Sequence, residues 1–322
     1  MTGRGALRVG TRGSALARSQ TALVTAAIVG ELGRKVETVE IVTRGDRSTA
    51  ALTQIGGTGV FVSALRDALR AGEIDLAVHS LKDLPTVLPD GLALAAVSRR
   101  EDPSDALVGR GPVRWSDLPR HGTVGTSSLR RKAQLLHARP DLRVIDLRGN
   151  VDTRLRKLDA AEGWSAILLA AAGLLRLGLG HRIGERLPPE VMLPAPGQGA
   201  LAVTARADDT QAIEMARRAV HDGGSALAVG AERAFLRRME GGCQVPVAAR
   251  AELDAGGTLR LHGRVIALDG SRMAEGRESG AVREPADAEG LGTRLADRLM
   301  DEGAAEILAE VRGGAAPSVP EP

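Results

Sequence analysis

Four short stretches place hydroxyls, guanidiniums and one carboxylate directly after apolar runs. Thr11-Arg12-Gly13-Ser14 follows LRVG, and His79-Ser80-Leu81-Lys82-Asp83 follows IDLAV. Thr126-Ser127-Ser128-Leu129-Arg130-Arg131 follows TVG, and Arg148-Gly149-Asn150 follows VIDL, with Arg154 and Arg156 a few residues on. Hydroxyls and the free N–H groups of a helix start donate to an oxyanion, and arginine adds charge and a bidentate fork. That is the chemistry of carboxylate or phosphate recognition. Any one of these stretches also reads as an ordinary helix cap, Thr126 to Ser128 above all. Four of them at equivalent places outline an anion-binding cleft. Asp83 is different in kind. A carboxylate at a strand end beside Lys82 suits a general acid/base or a stabiliser of positive charge, or else a plain ion pair with its neighbour. His79 reads as a structural, hydrogen-bonded histidine.

Those stretches need elements to hold them. The first 200 residues alternate apolar strands with amphipathic helices. LRVG, VETVEIV, IDLAVHS and LALAAV form one series, with helices over 14–32 and 57–72. DALVG, TVG, LRVI and AILLAAAG form a second, with helices after Ser128 and Asn150. Strand-turn-helix units imply crossovers in a largely parallel sheet, and ligands of such sheets bind where strands end and helices begin. The pattern predicts an α/β fold: two similar doubly wound lobes of periplasmic-binding-protein type. ALAVTA and a helix to Val220 return the chain to the first series. A helix over 225–240, three strands with glycine turns and two closing helices then predict a smaller α+β domain with an antiparallel sheet. The expected division is 1–100 with 198–220, 101–197, 221–312, and a disordered tail at 313–322.

Composition narrows the function classes. Among 322 residues there are two Trp, two Phe and no Tyr, so cores are aliphatic and base stacking has almost nothing to build on. Lysine stands only at 35, 82, 132 and 157, leaving 39 of the 43 basic residues as arginine. The net charge is nevertheless only +3, which argues against a nucleic-acid binder. The N-terminus offers no apolar run of signal-peptide length, and no segment reaches the roughly 18 apolar residues of a membrane span. A single cysteine excludes an internal disulfide and suits a reducing, cytoplasmic setting. With six scattered histidines it gives no metal-ligand spacing. IGGTGVF lacks the Gly-Lys-Ser/Thr ending of a phosphate loop. The cysteine itself, Cys243, lies in EGGCQVP, at a glycine-rich bend between a helix and a strand. It is either a small buried hydrophobe or a thiol with a task.

Assembled in order, LRVGTRGSALA, VTRGD, GTGVFVSAL, DLAVHSLKDLP, GTSSLRRKAQL, LRGNVDTRL, PAPGQGALAV and ERAFLRRMEGGCQVP resemble the porphobilinogen deaminases, or hydroxymethylbilane synthases. The blocks span residues 7 to 246. The resemblance implies a transferase of haem and tetrapyrrole biosynthesis, cytoplasmic and monomeric, with no nucleic-acid or membrane partner. It implies joining of four porphobilinogen molecules with loss of ammonia at each step, then hydrolysis to hydroxymethylbilane. It implies a dipyrromethane cofactor, tethered by a thioether to Cys243. It assigns Asp83 as the catalytic carboxylate. It assigns Ser14, Ser80, Lys82, Asp83, Thr126, Ser128, Arg130, Arg131 and Arg148 to the cofactor, and Arg12, Arg148, Arg154, Phe61 and Gln198 to substrate. Gln54 and Thr58 stand where some members carry loop lysines, and Arg44 or Arg47 are candidates to replace those cations. The same strand ends would also suit a two-lobe binding protein for a small carboxylate or phosphate ligand, although the third domain and the GGCQ loop argue against it.

Overall fold

A computed structural model describes residues 5–41, 59–239 and 245–313, with side chains described from Ser63 onward in the second segment. By its internal contacts the chain forms two compact units. The first comprises Met1–Pro103, Ala170–His181 and Gly197–Val229; the second comprises Ser104–Leu169, Arg182–Pro196 and Gly230–Pro322.

The first unit is built on a five-stranded sheet in the order β2-β1-β3-β10-β4. These are β1 (Leu7–Thr11), β2 (Val36–Glu40), β3 (Leu76–Ser80), β4 (Leu92–Val97) and β10 (Leu201–Arg206). β1 pairs parallel with β2 and with β3, whereas β10 is antiparallel to both β3 and β4. The returning chain thus enters the sheet against the direction of its neighbours. Alternate residues of β3 divide between two cores. Leu76 and Val78 pack with Val9, Ile28 and Val203, while Ala77 packs with Leu65, Leu69 and Ile74. Helices on both faces explain why β3 reads as a continuous apolar run. One core lies under α1 (Ala15–Leu32) and α6 (Thr210–Val220), the other under α2 (Gly59–Arg70).

The second unit holds a similar sheet, ordered β7-β6-β8-β5-β9. Its strands are β5 (Asp105–Val108), β6 (Thr123–Gly125), β7 (Arg143–Ile145), β8 (Trp164–Ala170) and β9 (Glu185–Arg186). β6 lies parallel to β7 and β8, and β9 closes the edge antiparallel to β5. Leu107, Val124, Leu135, Ala166 and Leu168 form its core. Helices α3 (Leu129–Ala138) and α4 (Val151–Ala160) follow β6 and β7, while the short α5 (Ala171–Arg176), next in the chain after β8, belongs to the first unit.

The third sheet is the expected antiparallel meander, β11 (Val247–Leu253), β12 (Thr258–Ile266) and β13 (Met273–Ala281). The long α7 (Gly223–Arg238) leads into this region. After the meander come α8 (Pro285–Leu299) and, past a kink at Gly303, α9 (Ala305–Gly313). The meander belongs to the same unit as the second sheet, and hydrogen bonds tie it to the rest of that unit. Arg264 Nη1 donates to Gln134 Oε1 at 2.9 Å, His137 Nδ1 meets Gly270 O at 2.8 Å, and Ala249 N donates to Pro194 O at 3.0 Å. Two α/β sheets and a smaller antiparallel one are therefore present, as the sequence pattern predicts. Each α/β sheet carries an antiparallel member that periodicity alone does not reveal.

Candidate functional site

In the first unit the chemistry gathers where β1 and β3 end. Ser14 caps α1, its Oγ accepting from Ala17 N at 3.2 Å, which satisfies one of the helix's unpaired donors. Arg12, half-buried, sits between β1 and this cap. Ser80 ends β3, and its hydroxyl exchanges hydrogen bonds with the Gln20 side chain. The next three residues, Leu81–Asp83, turn as a short 3₁₀ helix. Leu81 is fully buried and anchors the turn, its N–H donating to Ala200 O at 3.0 Å, so that Asp83 is left exposed. Lys82 is fixed by a longer reach, Nζ donating to Gln198 Oε1 at 3.1 Å.

Gln198 itself is buried, and its Nε2 donates to Pro103 O at 2.7 Å. Arg100 Nε donates to the Gln198 carbonyl at 2.9 Å. The neighbouring Gly199 has φ +94°, and a Cβ there would lie 2.2 Å from Glu101 O, so this close approach of two chain segments needs glycine. Arg176 joins the same place, donating from Nη2 to Gly199 O at 2.6 Å. Burial lowers its pKa and Glu101 partly offsets this. His79, one residue before Ser80, is buried and bonded to Thr204 Oγ1 at 3.0 Å. Burial, with the positive charge of Arg12, pushes its pKa down to about 4, so it is neutral at pH 7.

In the second unit the equivalent strand end, after β6, opens α3. Ser128 Oγ accepts from Arg131 N at 3.4 Å, and Thr126 Oγ1 accepts from Ser128 N at 3.2 Å. Ser128 therefore caps α3, and Thr126 supports the residue that caps it. Arg130 and Arg131 are 6% and 5% exposed, so both belong to the interior of the unit. They converge on Asp105, the first residue of β5, which is wholly buried. Arg130 Nη1 meets Asp105 Oδ2 at 2.6 Å and Leu193 O at 2.5 Å. Arg131 meets Asp105 Oδ1 from Nε at 2.9 Å and from Nη2 at 2.7 Å, and Leu168 O from Nη1 at 3.0 Å. Burial lowers the pKa of Arg130, and Asp105 opposes the shift. Two guanidiniums on one carboxylate leave this cluster with a net positive charge.

After β7, Arg148 is exposed and its Nε donates to Asp146 Oδ2 at 2.8 Å. Asn150 caps α4 through Thr153 N at 2.9 Å. Arg154 Nε donates to Gly149 O at 2.7 Å, and Lys157 Nζ to Arg148 O at 3.1 Å. Gly149 has φ +121°, and a Cβ would press to 2.7 Å from Thr153, so the turn into α4 is reserved for glycine.

The structure thus gathers Arg12, Ser14, Ser80, Lys82, Asp83 and Gln198 in one unit, and Thr126, Ser128, Arg130, Arg131, Arg148 and Arg154 in the other. Phe61 lies in α2, but its side chain is outside the described residues, as are Cys243, Arg44, Arg47, Gln54 and Thr58. Sequence reasoning overlooks Asp105 and Arg176. Their signals are slight: an acid opening the apolar run DALV, and one cation closing AILLAAAGLLR. Within each unit the donors suit a carboxylate-rich cofactor. Hydroxyls, N–H-rich helix starts and a positive cluster that one buried carboxylate does not neutralise all favour an anion.

The chain matches two family models. Residues 7–214 match porphobilinogen deaminase, dipyromethane cofactor binding domain, and residues 226–301 match porphobilinogen deaminase, C-terminal domain. It is 49% identical over 311 residues to a porphobilinogen deaminase of Geobacter metallireducens, covering 95% of this chain and 94% of that one. It is 51% identical over 314 residues to a porphobilinogen deaminase of Desulforudis audaxviator, covering 95% and 98%. Among solved structures, the methionine binding protein MetQ overlaps 66% of this chain and 89% of its own, with a TM-score of 0.44 and 14% identity. The domains matched are those of a biosynthetic enzyme and not of a binding protein, so the two-lobe receptor is not favoured. The chain belongs to the porphobilinogen deaminase family, and residues 7–214 are its dipyrromethane cofactor binding domain.

Proposed function

We propose that this chain is a transferase that condenses four porphobilinogen molecules head to tail onto a dipyrromethane primer, with loss of ammonia, and then releases hydroxymethylbilane by hydrolysis. The observation that carries the reading to residues is Asp83, an exposed carboxylate at the end of β3, in a turn anchored by Leu81 and flanked by the braced Lys82. Tethered through Cys243, the primer would supply a covalent starting pyrrole whose free α-carbon is the site of extension. Lys82, Ser14, Ser80, Thr126, Ser128 and the Arg130–Arg131 pair would hold its carboxylates, and Arg12, Arg148 and Arg154 those of the incoming porphobilinogen. Gln198 and Phe61 complete the substrate assignment, Gln198 by bracing Lys82.

Asp83 has two tasks in this scheme. Its negative charge stabilises a pyrrole N–H as the aminomethyl carbon loses its amine and becomes electron-poor. Its oxygens pass a proton to the departing nitrogen and accept one from the extended ring. One chain carries every residue assigned, so a monomer is the proposed form. The single cysteine suits the reducing cytoplasm.

Intact mass of protein isolated from porphobilinogen-making cells tests the tether. An increment of one dipyrromethane on the Cys243 peptide is expected, and an unmodified Cys243 in fully active protein overturns it. Asp83→Asn should keep that mass increment and the fold while turnover collapses by roughly 10²-fold or more. Near-normal turnover removes Asp83 from the mechanism.

A further inference from the structure

Arg148 already has a carboxylate. Asp146 follows β7 directly, and its Oδ2 accepts from Arg148 Nε at 2.8 Å. The Ser127 hydroxyl, which donates to Leu147 O at 2.5 Å, and the charge of Arg154 both act on the Asp146 carboxyl. Burial would push this carboxyl up, but Ser127, Arg148 and Arg154 together hold it below the ordinary carboxylate range. The surrounding backbone is fixed independently, by Arg154 on Gly149 O and Lys157 on Arg148 O. One guanidinium in contact and a second acting through its charge thus already serve a carboxylate of the chain itself, where an incoming carboxylate would look for them.

We propose that Asp146 is a resident counter-carboxylate: it holds Arg148 until a carboxylate of porphobilinogen displaces it, and so sets how tightly the substrate binds. The inference rests on Arg148 being a substrate-binding residue. The side chains of Arg148 and Asp146 are 60% and 58% exposed, and an ion pair so open to water is weak enough to exchange readily. Its cost to substrate is nevertheless real, because one guanidinium face serves two competing anions. The arrangement also discriminates. Only a ligand with a negative charge of its own gains enough from Arg148 and Arg154 to replace Asp146, so a neutral amide or ester analogue is disfavoured beyond the loss of its own contact.

The test uses the holoenzyme and porphobilinogen. Asp146→Asn keeps size and an acceptor oxygen while removing the charge, and Asp146→Ser removes the charge in a smaller side chain. Both are expected to lower KM by about two- to fivefold, the scale of an exposed pair, with kcat not raised. The gain should shrink as salt is added. It should vanish in Arg148→Gln, so that Asp146→Asn/Arg148→Gln has the KM of Arg148→Gln alone. If Arg148→Gln raises KM but neither Asp146 variant lowers it, the counter-carboxylate is overturned while Arg148 keeps its role. If Arg148→Gln leaves KM unchanged, the assignment of Arg148 fails and the inference falls with it.

Discussion

Lys82 Nζ donates to Gln198 Oε1 at 3.1 Å, across 116 positions of sequence. Lys82 belongs to the turn that carries Asp83, and Gln198 belongs to the segment where the chain re-enters the first unit. Its Nε2 is meanwhile held by the carbonyl of Pro103, the last residue before the chain leaves that unit. One buried amide therefore couples the position of the turn that carries Asp83 to both of these segments. Sequence resemblance assigns Gln198 to substrate, and the geometry gives it a bracing role that acts through Lys82.

Gln198→Leu keeps the volume and removes both hydrogen bonds. Turnover should fall by about 10- to 100-fold, the scale of a displaced reacting group, with a smaller change in KM. The half-buried Pro103 carbonyl and Lys82 lose a partner each, costing on the order of 1–3 kcal/mol of stability. Gln198→Glu keeps an acceptor for Lys82 and should recover part of the turnover. Steady-state kinetics read with urea unfolding separate the two effects. A stability loss without a fall in kcat would make Gln198 a structural residue only.

Asp105 is a second buried link, between the Arg130 and Arg131 guanidiniums. Asp105→Asn leaves two buried cations without their carboxylate, a change expected to cost roughly 3–5 kcal/mol. The urea midpoint should drop accordingly, and the fraction of protein bearing the dipyrromethane mass should drop with it. A variant as stable as the parent would mean that Leu193 O and Leu168 O suffice to hold the arginines.

Much of this was legible in the sequence because it is local. Glycine, serine or asparagine after an apolar run marks a strand end and a helix start, and Ser14, Ser128 and Asn150 are observed as caps. The antiparallel place of β10 was not legible, because pairing with β3 and β4 is settled between segments more than 100 residues apart. Arg130 and Arg131 sit two and three residues past a cap, a spacing that does not reveal that they are buried. Their burial depends on Asp105, 25 positions upstream, whose own identity as a strand's first residue says nothing about its partners. Arg148 and Asp146, only two residues apart, were equally silent, since spacing of two does not tell whether side chains turn toward or away from each other.

His79 makes the pH behaviour of the first unit predictable. Its folded pKa of about 4 lies below the usual value of 6.5, because burial and Arg12 both oppose its charged form. Between those two values the unfolded chain takes up a proton that the folded chain refuses. Stability therefore declines as pH falls from about 6.5 toward 4, and this group contributes no further loss below that. The whole window amounts to on the order of 3 kcal/mol. His79→Gln offers Thr204 Oγ1 a hydrogen bond without a titratable charge. Its stability should depend on pH less steeply in that window, by close to one proton, when parent and variant are unfolded in urea at a series of pH values. Equal slopes would place the histidine's proton uptake in the folded state, and would contradict the buried neutral ring on β3.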